Sequence, residues 1–150
     1  MQLTLLGILL FSTYLPVQEI VDKEYEISHN KVAILKSSKN GFGKNVLLSK
    51  TDITLLEQII VKSISDNNVK ENLKNATYLM KLEMYNRQYI PFIKDGYKQV
   101  WVNCFCDDIK HFPRWKKEII TIYDGGGCYF SVLINLTKEE YSKLYVNGIG

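Results

Sequence analysis

The spacing of apolar residues changes once along the chain, and this change restricts the fold more than any other feature. In "SKTDITLLEQIIVKSISDNN" apolar side chains recur at helical intervals, at Ile53, Leu56, Ile60 and Ile64, which predicts one amphipathic helix. From residue 77 onward the period is two, the repeat of a strand whose successive side chains point to opposite faces. The sequence therefore predicts an α+β fold, with one long helix packed on a mainly antiparallel sheet of four to five strands.

The residues around the helix indicate where it begins and what precedes it. Ser49 or Thr51 is a suitable N-cap, and Asp52 is placed favourably in the first turn. Upstream, "YEISHNKVAILKSS" reads as one or two short strands, and the glycine-containing "KNGFGKN" reads as a turn into "VLLS". This first region is therefore predicted to be a β-hairpin.

Four strands are predicted after the helix, joined mostly by turns. The first two are "TYLMKLEMYNRQYIPFI", in which Pro91 indicates an edge, a bulge or a strand end, and "YKQVWVNCFC". The "KDGY" between them is a turn signal. The second of these is apolar on both faces, as a central strand is. The other two, "EIITIY" and "CYFSVLINL", flank "DGGG", which predicts a hairpin turn.

A short helix is predicted to close the chain, because Thr137 and Glu140 have the spacing of a capping box. A helix followed by a four-stranded meander is similar in architecture to the cystatin-like, cone-shaped folds, and this is an analogy of fold only. The inhibitory cystatins carry a Gln-x-Val-x-Gly hairpin, and the nearest string here, Gln99 to Asn103, lacks the central Val and the Gly.

The three cysteines, Cys104, Cys106 and Cys128, are the candidates for a disulfide. Cys104 and Cys106 are two positions apart on one strand, and their Cβ atoms are then too distant to be bridged. In a simple meander Cys128 would lie roughly 25 Å from both, at the opposite end of the sheet. A bridge to Cys128 therefore requires a crossover that makes "EIITIY" parallel to "YKQVWVNCFC".

Thiol chemistry is the main alternative use of these cysteines. Cys106 and His111 are candidates for the nucleophile and base of a small cysteine-dependent hydrolase, with Asp107 or Asp108 to orient the imidazole. A Cys₃His metal site is disfavoured by the Cys-x-Cys spacing and by the same distance to Cys128, so neither a metal nor another cofactor is expected. The simplest interpretation is that the cysteines are small core residues.

The candidate binding residues are Trp101 and three members of "HFPRWKKE", namely Arg114, Trp115 and Lys116. Basic and aromatic side chains together suit single-stranded nucleic acid or an acidic glycan. The formal net charge is only +3, from 19 Lys and Arg against 16 Asp and Glu, so no nucleic-acid partner is expected. The expected partner is an unidentified protein or small ligand.

The first 18 residues contain no charged side chain. Their apolar run, residues 3–15, has the length of a secretory signal and is too short to span a membrane. We therefore expect residues 1–18 to be a signal peptide or apolar N-terminal segment and residues 19–150 to form a single α+β domain. The mature protein is expected to be secreted or periplasmic, without a membrane span.

Four fragments add a resemblance: "YNRQYIPFI", "WVNCFC", "WKKEIITIYDGGGCYF" and "INLTKEEYSKLYVNG". Together they resemble a group of small exported bacterial proteins of unassigned function, over roughly residues 78–150. This resemblance implies an exported α+β domain and assigns no catalytic residue. The function expected from the sequence is non-enzymatic, a binding or accessory role in the cell envelope or extracellular space, with the hydrolase as its alternative.

Overall fold

A computed structural model describes residues 30–70 and 77–148. The predicted N-terminal segment, residues 1–18, lies outside the described residues. The elements described are one α-helix, seven strands and several short 3₁₀ turns.

The helix, α1, spans Lys50–Lys70 and confirms the prediction from apolar spacing. Its N-cap is Ser49, because the Ser49 Oγ accepts a hydrogen bond from the Asp52 N–H (3.1 Å) while the Asp52 carboxylate accepts one from the Ser49 N–H (2.8 Å). Two backbone donors at the helix start are thus satisfied reciprocally. Thr51, the other predicted cap, lies inside the helix. One face is buried: Ile53, Leu56, Ile59, Ile60, Ser63 and Ile64.

The strands form one mostly antiparallel sheet, which confirms the α+β class. They are β1 (Val32–Ile34), β2 (Lys44–Asn45), β3 (Asn86–Lys94), β4 (Tyr97–Phe105), β5 (Tyr129–Asn135), β6 (Glu140–Tyr141) and β7 (Tyr145–Val146). The order is β1-β3-β4-β5-β6, with β2 also paired to β3 and β7 to β5. Among the pairings between these strands, only β1 with β3 is parallel.

The central strand β4 separates two apolar layers, as its sequence predicts. Val100, Val102 and Cys104 face α1 and belong to the larger core. On the opposite face Phe105 is buried and Trp101 half-buried, in a smaller core that also contains Trp115. The turn before β4 has positive φ at Asp95 (52°) and Gly96 (79°), the conformation of a tight two-residue hairpin. The second layer needs a cover, and residues 112–122 supply it.

The predicted hairpin upstream of α1 is wrong. β1 and β2 pair with β3 and not with each other, β1 along its first half and β2 along its second. On β3 the Arg87 N–H and the Tyr89 carbonyl point toward β1, so the odd-numbered residues direct their backbone groups to that side. Pro91, which has no N–H, therefore falls in the gap between β1 and β2, where no ladder donor is needed.

Three further predictions downstream of α1 are wrong. The segment "EIITIY", residues 118–123, is not a strand, and β5 pairs directly with β4. The first predicted strand begins only at Asn86, after a 3₁₀ turn at Leu82–Met84. The C-terminal helix does not form: the Thr137 Oγ1 accepts a hydrogen bond from the Lys98 N–H instead of capping, and β6 and β7 pair with β5. Pairing with the sheet outweighs the local capping signal in this segment.

Candidate functional site

Cys106 and Cys128 form a disulfide at the ends of β4 and β5, with their Cα atoms 5.0 Å apart. The last ladder pair of these strands is Phe105 with Tyr129, and the next pair outward is Cys106 with Cys128. The Cys106 N–H donates to the Cys128 carbonyl at 3.0 Å, so the backbones are held at a separation that a disulfide can bridge. Residues 107–127, here called the closed connection, leave and return at this point.

This geometry corrects the prediction that a bridge to Cys128 requires a parallel crossover. The estimate of roughly 25 Å assumed that "EIITIY" is a strand lying between β4 and β5. With that segment off the sheet, β5 runs antiparallel beside β4, and Cys128 meets Cys106 without any crossover. The "DGGG" glycines do not form a hairpin turn: a 3₁₀ turn spans Gly126–Cys128, preceded by Gly125 at φ 89°. A Cβ at Gly125 would lie 2.7 Å from the Tyr129 ring, so glycine is needed there.

The fully buried Gln88 of β3 holds the closed connection against the sheet. Its Nε2 donates to the carbonyls of Trp115 and Glu118, and its Oε1 accepts from the Ile120 N–H at 2.9 Å. Asn103 of β4 donates both to the Gln88 Oε1 (2.9 Å) and to the Ile120 carbonyl (2.8 Å). Side-chain amides therefore take the place of strand pairing in this segment.

Aromatic packing and further hydrogen bonds fix the remainder of the closed connection. Trp115, only 4% exposed, lies edge-to-face with Phe105 at 5.9 Å between ring centroids. Near the disulfide, the Tyr129 hydroxyl donates to the Asp107 carboxylate, and the Tyr85 hydroxyl donates to the Gly127 carbonyl. Burial, followed by the bond to Asp107, raises the pKa of Tyr129. The connection is therefore an ordered part of the fold and a stable base for side chains that point outward.

A groove of about 600 Å³ lies between the closed connection and the segment that follows β1. We call it the basic groove. Five cations and one carboxylate form its charged lining: Lys36, Lys39, Arg114, Lys116, Lys117 and Glu118. The rest of the lining is aliphatic apart from one amide: Ile34, Leu35, Ile119 and Asn40.

The groove lining carries an excess of positive charge. Five cations against one carboxylate give the lining a net charge of +4, whereas the whole chain carries +3. Arg114 is paired with Glu118 at 2.6 Å, an exposed pair of small energetic value. Lys116 extends over the Trp115 ring, with its Nζ 5.5 Å from the ring centroid. A positive groove of this kind attracts anions.

The predicted binding residues are separated into two places. Arg114 and Lys116 line the basic groove, and the buried Trp115 packs beneath this segment. Trp101 is not among the groove-lining residues; it stacks on Phe42 at 5.4 Å between ring centroids. Sequence reasoning missed Lys36 and Lys39, which are 75 to 81 positions from the other cations and reach them only because β1 adds to the edge of β3.

The residues proposed for thiol chemistry have different environments. Cys106 is bonded to Cys128, so neither sulfur is a nucleophile or a metal ligand while the disulfide is intact. Cys104 is fully buried, and this burial raises the pKa of its thiol. His111 is exposed on a short 3₁₀ turn, Ile109–His111. Across residues 30–70 and 77–148, no group of three or more His, Cys, Asp or Glu side chains is arranged to hold a metal ion.

A second polar cluster lies between α1 and β3. The Tyr89 hydroxyl donates to the Glu57 carboxylate at 3.0 Å, and an Arg87 guanidinium nitrogen lies 3.8 Å from the same carboxylate oxygen. Burial, followed by the nearby Glu57 charge, raises the pKa of Tyr89 well above its usual value. Tyr89 and Arg87 are almost wholly enclosed, so this cluster connects the helix to the sheet.

No family model, curated protein or solved structure matches this chain. Within the described residues, no helix has the length and apolar character needed to cross a membrane.

Proposed function

We propose that this protein is a non-enzymatic binding or accessory domain that works outside the cytoplasm, in the cell envelope or extracellular space. The observation that carries the proposal is the disulfide between Cys106 and Cys128, which closes the connection that forms one wall of the basic groove. Disulfides persist in oxidising compartments and are rare in reducing ones. The uncharged segment at residues 1–18 and the resemblance to small exported proteins support the same location.

Binding is favoured over thiol, imidazole or hydroxyl chemistry because the groove is preorganised and its lining carries none of these groups. The closed connection is fixed by the disulfide, by Gln88 and by Trp115 before any ligand arrives. A wall that is already ordered loses little conformational entropy on binding, which favours affinity. The groove lining itself contains no cysteine, histidine, serine or threonine.

The alternative, a small hydrolase that uses Cys106 and His111, applies only to the reduced protein, because the Cys106 sulfur is otherwise bonded to Cys128. Such an enzyme needs an accessible thiolate of lowered pKa. Mild reduction should then expose a thiol at Cys106 that alkylates rapidly near neutral pH, and Cys106→Ser should abolish activity. We expect instead that the Cys106 thiol of the reduced protein is alkylated slowly. Ligand binding should be retained in Cys106→Ser at temperatures where this variant stays folded.

Export is tested separately by fusing residues 1–29 to a reporter enzyme that becomes active only outside the cytoplasm. We expect activity from the natural segment and its loss on Leu9→Arg, because a charge within a short apolar run prevents its recognition as a signal. Gln18→Arg, outside that run, is the matched control and should retain activity. An inactive fusion of the natural segment would contradict the proposed location.

A further inference from the structure

We infer that the basic groove binds an acidic polysaccharide through the sulfate or carboxylate groups of the sugar chain. This inference rests on the proposed function, because it names the ligand class of the same groove. The contributing cations are Lys36 and Lys39 on one wall and Arg114, Lys116 and Lys117 on the other. An anionic chain lying between the walls would contact cations on both sides.

The charge distribution is the first reason. The groove lining carries +4, so the remainder of the chain carries a net charge of −1. A groove with this excess of positive charge steers a polyanion toward itself. Partly exposed Ile34, 48% accessible, and Ile119 provide an aliphatic surface beside the cations.

The second reason is that side-chain hydrogen bonds fix the backbone of both walls. On the Lys36 and Lys39 side, the hydroxyl of the fully buried Ser37 donates to the Asn45 Oδ1 at 2.7 Å, and the same Oδ1 accepts from the Ser38 N–H at 2.9 Å. On the opposite wall, Gln88 holds the carbonyls that flank Lys116 and Lys117. The backbone positions are therefore set in advance, while the exposed lysine side chains can adjust to a polymer.

The third reason concerns the kind of anion. Four of the five cations are lysines. A lysine carries a compact charge on a flexible stem and binds a sulfate or carboxylate group without requiring a fixed orientation of that group. Binding of single-stranded nucleic acid relies on exposed aromatic faces on which bases stack. Among the described residues that line the groove none is aromatic, and the neighbouring Trp115 is buried. A polyanion without bases is therefore the better match.

The experiment is a binding titration of the exported, oxidised protein with three probes of similar length: a heparin oligosaccharide, polygalacturonate and an oligothymidylate, with neutral dextran as the blank. We expect both acidic glycans to bind more tightly than the oligothymidylate. Affinity should fall by on the order of tenfold between about 50 and 200 mM salt, because a groove of this charge releases a few counterions.

Charge reversal assigns the binding to the groove. Lys36→Glu/Lys39→Glu should weaken glycan binding by about tenfold or more, because two attractive contacts become repulsive. The matched control is Lys94→Glu/Lys143→Glu, which makes the same change at two exposed lysines outside the groove and should alter affinity by less than about threefold. Both variants should unfold thermally within a few degrees of the parent protein, because the substituted side chains are exposed.

Three results would overturn the inference. Tighter binding of the oligothymidylate would reassign the groove to nucleic acid. An equal loss in the control variant would show that only the overall charge matters. Absence of binding to all three polyanions would reject an acidic polysaccharide as the ligand. The location and the disulfide of the proposed function would still be tested separately, by the export reporter and by the state of the thiols.

Discussion

Removing the disulfide should destabilise the fold without changing its topology. The variant is Cys106→Ala/Cys128→Ala, which deletes the bond at the base of the closed connection. The linked residues are 22 positions apart. A cross-link of this span restricts the unfolded chain and stabilises the fold by about 3 kcal/mol at 25 °C, which the variant should lose. The connection keeps its contacts with Gln88 and the packing of Trp115, so the native state should persist.

Urea unfolding measures this loss. With a slope of about 2 kcal/mol per M for a domain of this size, the midpoint should fall by roughly 1.5 M. Heating should show a decrease of about 6 to 12 °C in Tm. The parent protein unfolded in the presence of a reductant should approach the same values, because it loses the same cross-link.

Cys104→Ala is the matched control for the loss of a cysteine. Cys104 is fully buried in the core and takes no part in the disulfide, so its replacement should cost about 1 kcal/mol by leaving a small cavity. A reductant should still destabilise this variant by the full amount, and it should leave the double variant unchanged. Equal stability of the double variant and the parent, or an effect of reductant on the double variant, would refute the assigned pairing.

Three further perturbations test the anchoring and the ionisation of buried groups. Gln88→Met should lower the free energy of unfolding in urea by about 3 kcal/mol, because it leaves backbone groups of the closed connection buried without partners. An unchanged free energy of unfolding would contradict the anchoring role of Gln88. Burial alone raises the pKa of Asp52, but hydrogen bonds from Ser49 and Lys98 outweigh it and lower that pKa below 3.8. The free energy of unfolding should therefore fall as the pH drops below 3.8. Urea titrations of Asp52→Asn should show a smaller fall over the same pH range. Burial raises the pKa of Tyr85 from 10.0 to about 12, so stability should be lost as pH rises through this interval, less steeply in Tyr85→Phe when measured by alkaline unfolding.

The parts of the fold that the sequence predicted correctly are those set by contacts close along the chain. The stripe on α1 and its N-terminal cap depend on residues within a few positions of one another. The hairpin that joins β3 and β4 follows from a two-residue turn at Asp95 and Gly96. The two apolar faces of β4 follow directly from strand alternation.

The closed connection could not be predicted, because distant side chains decide its structure. The alternation in "EIITIY" matches a strand, but Gln88, Asn103 and Asn147 bind its backbone groups from 17 to 32 positions away. This single error displaced Cys128 from Cys106 in the predicted topology. Lys36 and Lys39 were missed for a related reason, since the parallel pairing of a three-residue strand with β3 has little local signal.

The most direct test is the intact mass of the protein recovered from an exporting host, alkylated in denaturant with and without prior reduction. We predict a chain that lacks residues 1–18 and takes up one alkyl group before reduction, at Cys104, and three after it. Three alkyl groups before reduction, on a chain that retains residues 1–18, would contradict both the disulfide and the location outside the cytoplasm.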